Sequence, residues 1–256
     1  MIELDSYIAK AEAALIAVLD EWRPKLMASH GIRKFDVKAD STVVTELDKS
    51  LELALKDALR PLSSEVGFLG EEHGPEGPSD IKWLVDPIDG TEQYVRGLLS
   101  CRTMLCLIMD GEPVYAFVYR FTTKDLFTAQ KGKGAQKNNE PITLEPRELD
   151  RSWVEFAADL RNPGAALAMA QVDGAVNSVT YTKEFLYVLE GFIDAYVVYG
   201  GKGGVWDYAP RALLMQEAGL KITNLGSNSY DYKNLSWLAA SPKVYDTLAK
   251  LLSPQA

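Results

Sequence analysis

The segment that most constrains this chain is WLVDPIDGT, at residues 83–91. Its three leading apolar residues predict a buried strand, and two carboxylates three positions apart, Asp86 and Asp89, follow directly. Pro87 fixes φ between them, so we expect the strand to end at Asp86 and to turn there. The Asp-Gly-Thr that follows is predicted to open a helix, whose first N–H groups are able to hold a phosphate oxygen.

Length, composition and charge exclude several classes of protein. The 256 residues are 47% hydrophobic and 25% charged, which is typical of a globular chain that buries a substantial core. The net charge of −9 argues against binding to nucleic-acid polymers or membrane surfaces, which depends on basic patches. We find no long apolar stretch and no signal-peptide pattern, and we therefore expect a cytoplasmic protein. Cys101 and Cys106, the two cysteines, are expected to be buried apolar residues.

Hydrophobic periodicity predicts two lobes that share one core, residues 1–150 and residues 151–256. The first lobe is expected to contain two helices and a largely antiparallel sheet, with a hairpin turn at Asp110-Gly111. The second lobe is expected to alternate strands and helices. The predicted helices span residues 2–28, 44–60, 165–172, 181–190 and 208–218. The predicted strands lie within residues 66–74, 81–85, 103–120, 125–139, 153–157, 175–179 and 194–199.

Carboxylates recur where an apolar run ends or a helix begins. They are Asp48, the pair Glu71-Glu72, the pair Asp86 and Asp89, and Asp207. Several carboxylates that converge on one crevice repel each other unless cations lie between them. Oxygen ligands with few histidines indicate a hard cation, Mg²⁺ or alternatively Mn²⁺, rather than zinc.

Two other acidic motifs do not fit the spacing of the DPIDGT segment. An EF-hand loop needs acids two positions apart and a glutamate at position twelve, where this chain has Gly97. Phosphatases of the haloacid-dehalogenase type likewise carry acids two apart, although a phosphoaspartate-forming phosphatase remains an alternative. A second alternative is a non-catalytic protein that binds a metal or a phosphate. In a purely structural interpretation, Asp86 caps a turn and Asp89 caps the next helix.

Five motifs together resemble one family, the inositol monophosphatases, which are magnesium-dependent and lithium-sensitive phosphatases. The motifs are VVTELD (43–48), FLGEEHG (68–74), WLVDPIDGT (83–91), AQKGKGA (129–135) and VWDYAPRALLMQEAG (205–219). The resemblance implies an α+β fold, a layered α-β-α-β-α sandwich of the inositol monophosphatase and fructose-1,6-bisphosphatase type. It also implies a homodimer that acts on a small phosphorylated metabolite.

The same resemblance assigns roles to individual residues. Glu71, Asp86 and the Ile88 carbonyl would hold a first Mg²⁺. A second would be held by Asp86, Asp89 and Asp207, and a third, weaker ion would lie near Glu71. The Gly90 and Thr91 amides would bind the phosphate. The catalytic residues would be Glu71, Thr91 and Asp48, with Thr91 hydrogen-bonded to Asp48 to orient and deprotonate the attacking water.

The sequence departs from inositol-specific family members in the regions that contact substrate. Their G-[ST]-A-A segment corresponds here to Val179-Thr180-Tyr181, and the position of their substrate-binding glutamate corresponds to Val198. A GGKGG segment at residues 200–204 is predicted to form a mobile loop beside the site. Lys183 matches a lysine of the 3′-phosphoadenosine phosphatases, and VRG at residues 95–97 is similar to histidinol-phosphate phosphatases. The candidate substrate contacts are Thr180, Lys183, Lys202 and Arg96, and the substrate itself is left open.

Overall fold

The computed structural model describes residues 2–32, 35–37, 43–201 and 203–252. The chain forms two compact units, Met1–Thr128 and Ala129–Ala256, each with its own hydrophobic cluster. Lys202 lies outside the described residues. Within the described part of the chain, no helix combines the length and the apolar character that a bilayer crossing requires.

The helices of the first unit follow the predicted periodicity. The helices are α1 (Leu4–Ser29), α2 (Glu46–Leu59) and the short α3 (Thr91–Val95). In α1, apolar side chains at helical spacing are buried, Leu15 and Leu19 among them. The two long helices predicted from hydrophobic spacing are therefore confirmed.

The sheet of the first unit is mostly antiparallel, as predicted. The strands are β1 (Asp36–Val37), β2 (Val43–Val44), β3 (Gly67–Gly70), β4 (Gly74–Glu76), β5 (Ile81–Asp89), β6 (Arg102–Met109), β7 (Glu112–Arg120) and β8 (Asp125–Gln130). β1 pairs with β2 on its own, and the strands of the larger sheet that begin in this unit run in the order β8-β7-β6-β5-β3-β4. The hairpin between β6 and β7 turns at Asp110 and Gly111, both with positive φ, as the sequence predicts.

The prediction that the central strand ends at Asp86 is wrong. β5 continues through Pro87 and Ile88 to Asp89, and its pairing with β6 shifts register between Asp86 and Asp89. This irregularity is a β-bulge, in which extra residues on one strand bend it while the ladder continues on both sides. Asp89 still pairs with Arg102 of β6. The two aspartates therefore belong to one bulged strand rather than to a strand and a turn.

The second unit contains a mixed sheet in the order β12-β11-β13-β15-β14. β12, β11 and β13 pair in parallel, whereas β15 is antiparallel to both neighbours. The elements are β9 (Gly134–Lys137), β10 (Glu140–Pro141), β11 (Trp153–Ala158), α4 (Pro163–Asp173), β12 (Ser178–Thr180), α5 (Leu186–Leu189), β13 (Ala195–Tyr199), α6 (Val205–Glu217), β14 (Lys221–Asn224), β15 (Trp237–Ala240) and α7 (Pro242–Leu251). The alternating strands and helices from residue 153 to residue 217 confirm the predicted order. The last three elements had no sequence prediction.

The helix predicted over residues 181–190 is wrong in its first half, because α5 begins only at Leu186. The buried carboxylate of Glu155 accepts the backbone N–H groups of Thr182 and Lys183, at 3.1 and 2.8 Å. Lys183 has a φ of +59°, which is incompatible with a right-handed helix. The segment before α5 is therefore a loop held by a side chain.

A single methyl group at Gly67 tests the packing at the start of β3. A Cβ there would lie 1.9 Å from the Pro78 carbonyl oxygen, which is backbone and cannot rotate away. We expect Gly67→Ala to lower the free energy of unfolding by about 2 kcal/mol or more, measured by urea denaturation. Gly174→Ala is the control, because its φ of −68° suits alanine and its nearest contact is 3.6 Å. Equal stabilities of the two variants would contradict this prediction.

Candidate functional site

The parallel pairing of β3 and β5 brings two acidic positions together. Gly70 pairs with Val85, and the Glu71 amide donates to the Val85 carbonyl at 3.0 Å, which extends the ladder by one residue. Glu71 and Asp86 are thus the next residues along neighbouring parallel strands. Because parallel strands end at the same edge of a sheet, both carboxylates belong to that edge.

The bulge in β5 brings Asp86 close to Asp89. Both residues are buried, with 1% and 8% of their surface exposed, and a carboxylate oxygen of each lies within 4.8 Å of the other. Two carboxylates this close and this buried repel each other unless a cation or proton compensates them. Their oxygen-only donor chemistry fits a hard divalent ion such as Mg²⁺.

The helix start that follows requires a glycine. Gly90 is the N-cap of α3, with a φ of +82°, and a Cβ there would lie 2.6 Å from the Ser100 carbonyl oxygen. Next in sequence, the Thr91 hydroxyl lies 3.0 Å from Asp48 Oδ1 and 2.9 Å from the Ile88 carbonyl oxygen. A hydroxyl has one proton to donate, so these two acceptors compete for it.

Asp48 is held in place by the start of α2. Thr45 is the N-cap, and its backbone N–H and hydroxyl donate to Asp48 Oδ2 at 2.8 and 2.5 Å. This capping box leaves Asp48 Oδ1 as the acceptor for the Thr91 hydroxyl. The predicted Asp48–Thr91 hydrogen bond is therefore present in the structure.

The pKa of Asp48 is raised to about 6, mainly by burial and to a smaller extent by the negative charge of Glu72, against the lowering effect of the hydrogen bonds from Thr45 and Thr91. Above pH 6 the carboxylate is ionised and accepts from both threonines. At neutral pH the ionised Asp48 carboxylate therefore accepts a hydrogen bond from the Thr91 hydroxyl and orients it.

A buried ion pair in α2, which we did not predict, fixes the turn that carries Glu71. Glu52 and Lys56 are fully buried, with Nζ 2.8 Å from Oε1. The Glu52 carboxylate accepts the backbone N–H groups of Glu72 and His73 at 2.8 and 3.1 Å, and contacts His73 Nδ1 at 3.0 Å. The available signal was the spacing of Asp48, Glu52 and Lys56, which puts three charges on one face of a helix.

Arg102 is a second residue that sequence reasoning missed. It begins β6 with 1% of its surface exposed, and its Nε lies 3.0 Å from Asp89 Oδ2. Its Nη2 also donates to the Ser100 carbonyl at 2.9 Å. A permanently charged guanidinium thus contacts one of the predicted metal ligands.

Asp207 lies in the first turn of α6, in the second unit. Its Oδ2 accepts the Gly204 amide at 2.6 Å, which fixes the side chain at the helix start. Gly203, with a φ of +105°, lies so close that a Cβ would come within 2.2 Å of the same oxygen. Gly203 is therefore needed for close packing against Asp207. The mobile loop predicted for the GGKGG segment stays a prediction.

The predicted substrate contacts have different surroundings. The Thr180 hydroxyl donates to Glu155 at 2.6 Å, so it helps to hold its own loop. Lys183 is exposed, and its Nζ lies 5.9 Å from the centroid of the Tyr181 ring. Arg96 is also exposed and pairs with Glu92 at 3.2 Å on the surface of α3.

Comparisons with known proteins identify one family. A family model described as the inositol monophosphatase family matches residues 4–255. A Nus factor SuhB from Xylella fastidiosa is 31% identical over 204 residues, covering 76% of this chain and 72% of its own. An inositol monophosphatase from Dictyostelium discoideum is 27% identical over 268 residues, covering 98% and 96%.

The solved structures agree on the fold. An IMPase/NADP phosphatase complexed with Mg²⁺ and phosphate matches with a TM-score of 0.80 and 21% identity, over 97% of this chain and 96% of its own. The predicted α+β layered sandwich is confirmed by this similarity. At this level of identity the likeness shows the fold alone.

The raised pKa of Asp48 predicts how stability depends on pH. The folded protein binds the Asp48 proton more tightly than the unfolded chain does. Binding of this proton therefore contributes fully to the free energy of unfolding below pH 4, and the contribution is lost as pH rises through 6. Between pH 4 and pH 7, wild type should lose about 3 kcal/mol of unfolding free energy relative to Asp48→Asn. Denaturation in EDTA at several pH values measures this difference.

Glu46→Gln is the control for that experiment, because the Glu46 side chain is 80% exposed. Its unfolding free energy should follow that of wild type at every pH. Parallel pH profiles for wild type and Asp48→Asn would contradict the prediction.

Proposed function

The chain belongs to the inositol monophosphatase family and is a phosphoric monoester hydrolase, and we propose that it hydrolyses a small phosphate monoester with Mg²⁺ as its cofactor. The observation that carries this proposal is the pair of buried carboxylates at the β5 bulge, Asp86 and Asp89. Two residues after Asp89, Thr91 makes its hydrogen bond to Asp48. A site of this kind combines metal ligands and a proton acceptor within a few residues.

We assign the ligands as the family resemblance implies. Glu71, Asp86 and the Ile88 carbonyl would hold one ion, and Asp86, Asp89 and Asp207 would hold another, with a third, weaker ion near Glu71. Bound Mg²⁺ would neutralise the phosphate, lower the pKa of the attacking water and stabilise the leaving oxygen. Mn²⁺ is an alternative ion with the same preference for oxygen.

Two parts of the chain act directly on the reacting groups. The Thr91 hydroxyl donates to the ionised Asp48 carboxylate, so its own oxygen is oriented to accept a proton from water. The Gly90 and Thr91 amides hold the phosphate oxygens at the start of α3. Glu71, directly after β3, would support the same water through its carboxylate.

Asp89→Asn tests the metal-dependent mechanism. The amide keeps the shape of the side chain but loses its charge, so we expect Mg²⁺-dependent phosphate release to fall about 1,000-fold or more. Circular dichroism should show an intact fold. Asp80→Asn, an exposed residue just before β5, is the control with unchanged activity. Near-normal activity of Asp89→Asn would contradict the mechanism, and so would a phosphorylated Asp86 intermediate, which indicates a phosphoaspartate enzyme.

The substrate class is proposed from Val198 in β13 and from Lys183 in the loop between β12 and α5. Val198, where inositol-specific members have a glutamate, is fully buried and cannot contact a sugar hydroxyl. Lys183 is held in a left-handed conformation that glycine adopts at lower cost, and a lysine kept in such a position supports a role for its side chain. We therefore favour a substrate with a second anionic group, such as 3′-phosphoadenosine 5′-phosphate, over inositol 1-phosphate; histidinol phosphate is the alternative.

A panel of phosphate monoesters tests this preference. We expect the highest kcat/KM for 3′-phosphoadenosine 5′-phosphate, compared with inositol 1-phosphate, histidinol phosphate, fructose 1,6-bisphosphate and glycerol 2-phosphate. Lys183→Gly should relieve backbone strain and raise the melting temperature, while KM for the preferred substrate rises about tenfold as one charge contact is lost. An unchanged KM would show that Lys183 does not contact the substrate.

Lys202 and Arg96 are proposed as further contacts with the substrate. Inhibition by lithium, a homodimeric state, a cytoplasmic location and the division of roles between residues 1–150 and 151–256 also remain proposals. They are supported by the family resemblance.

A further inference from the structure

Arg102 is placed against Asp89 by the sheet itself. The two residues pair directly in the antiparallel register of β5 and β6, on the far side of the bulge. The Arg102 side chain is 1% exposed and that of Asp89 is 9% exposed, with Nε 3.0 Å from Oδ2. Backbone pairing and burial together leave the guanidinium little freedom to move away.

A guanidinium carries a positive charge and offers only hydrogen-bond donors. In the metal-free protein it compensates the charge of Asp89, which lies close to the equally buried Asp86. A cation bound to Asp89 would be repelled by this guanidinium, which already contacts Oδ2 of the same carboxylate. Arg102 therefore stabilises the metal-free site and opposes metal binding.

We propose that Arg102 sets the affinity for the Mg²⁺ ion that Asp89 holds, by competing with that ion for the Asp89 carboxylate. The inference rests on the proposed Mg²⁺ site and adds a residue that the site assignment does not contain. Its consequence is that the ion at Asp89 binds more weakly than it would if the guanidinium did not contact this carboxylate.

Isothermal titration with MgCl₂ on the full chain tests the inference without any substrate. Arg102→Gln should bind Mg²⁺ about tenfold more tightly at Asp89, because the guanidinium no longer repels the ion. Its melting temperature should be lower than that of wild type in EDTA, and Mg²⁺ should raise it by more than it raises wild type. Arg102→Lys, which retains the charge, should keep the wild-type affinity.

Arg120→Gln is the matched control. Arg120 is also a nearly buried arginine of the same unit, paired with Asp125 at 2.8 Å, so its loss should lower the melting temperature without changing Mg²⁺ affinity. Equal or weaker Mg²⁺ binding by Arg102→Gln would overturn the inference. If Arg102→Gln does not fold in EDTA, Mg²⁺ should restore folding, and failure to do so would also overturn it. A wild type that binds no Mg²⁺ would instead refute the proposed metal site.

Discussion

The structure depends on how the chain compensates two carboxylates buried at the end of its central strand. Asp86 and Asp89 lose most of their contact with water, and their charges lie close together. Such an arrangement is unfavourable in isolation, so the surroundings must supply positive charge or hydrogen-bond donors. Arg102 supplies a positive charge beside Asp89.

Helix α2 organises the other side of the site through two carboxylates one turn apart. Asp48 accepts from Thr91 after the bulged strand, and Glu52 accepts two consecutive amides after β3. One rigid helix therefore sets the positions of both segments that carry the proposed metal ligands. Lys56 compensates the buried charge of Glu52, so the pair holds a turn in place rather than adding much to stability.

Local signals predicted much of this molecule, and long-range pairing determined the rest. The periodicity of α1 and α2 and the Asp110-Gly111 turn are local, and the structure has both. The end of β5 was misplaced because Pro87 suggests a turn, whereas pairing of Asp89 with Arg102 carries the ladder across the bulge. Arg102 was missed for the same reason, since nothing near it in sequence shows that it faces a carboxylate. Roles at the site came from a family resemblance and not from spacing alone.

In the second unit, as in the first, a buried carboxylate holds a loop in place. Glu155, like Glu52, is a fully buried carboxylate that accepts two consecutive backbone amides from a loop after a strand. In both units the loop is therefore shaped by the protein before any ligand arrives. A loop that is already ordered loses little conformational entropy when it binds, so more of the contact energy appears as affinity. The Glu155 loop also explains why a lysine can be kept in a left-handed conformation, because three hydrogen bonds from Thr180 and Thr182 hold the backbone around it.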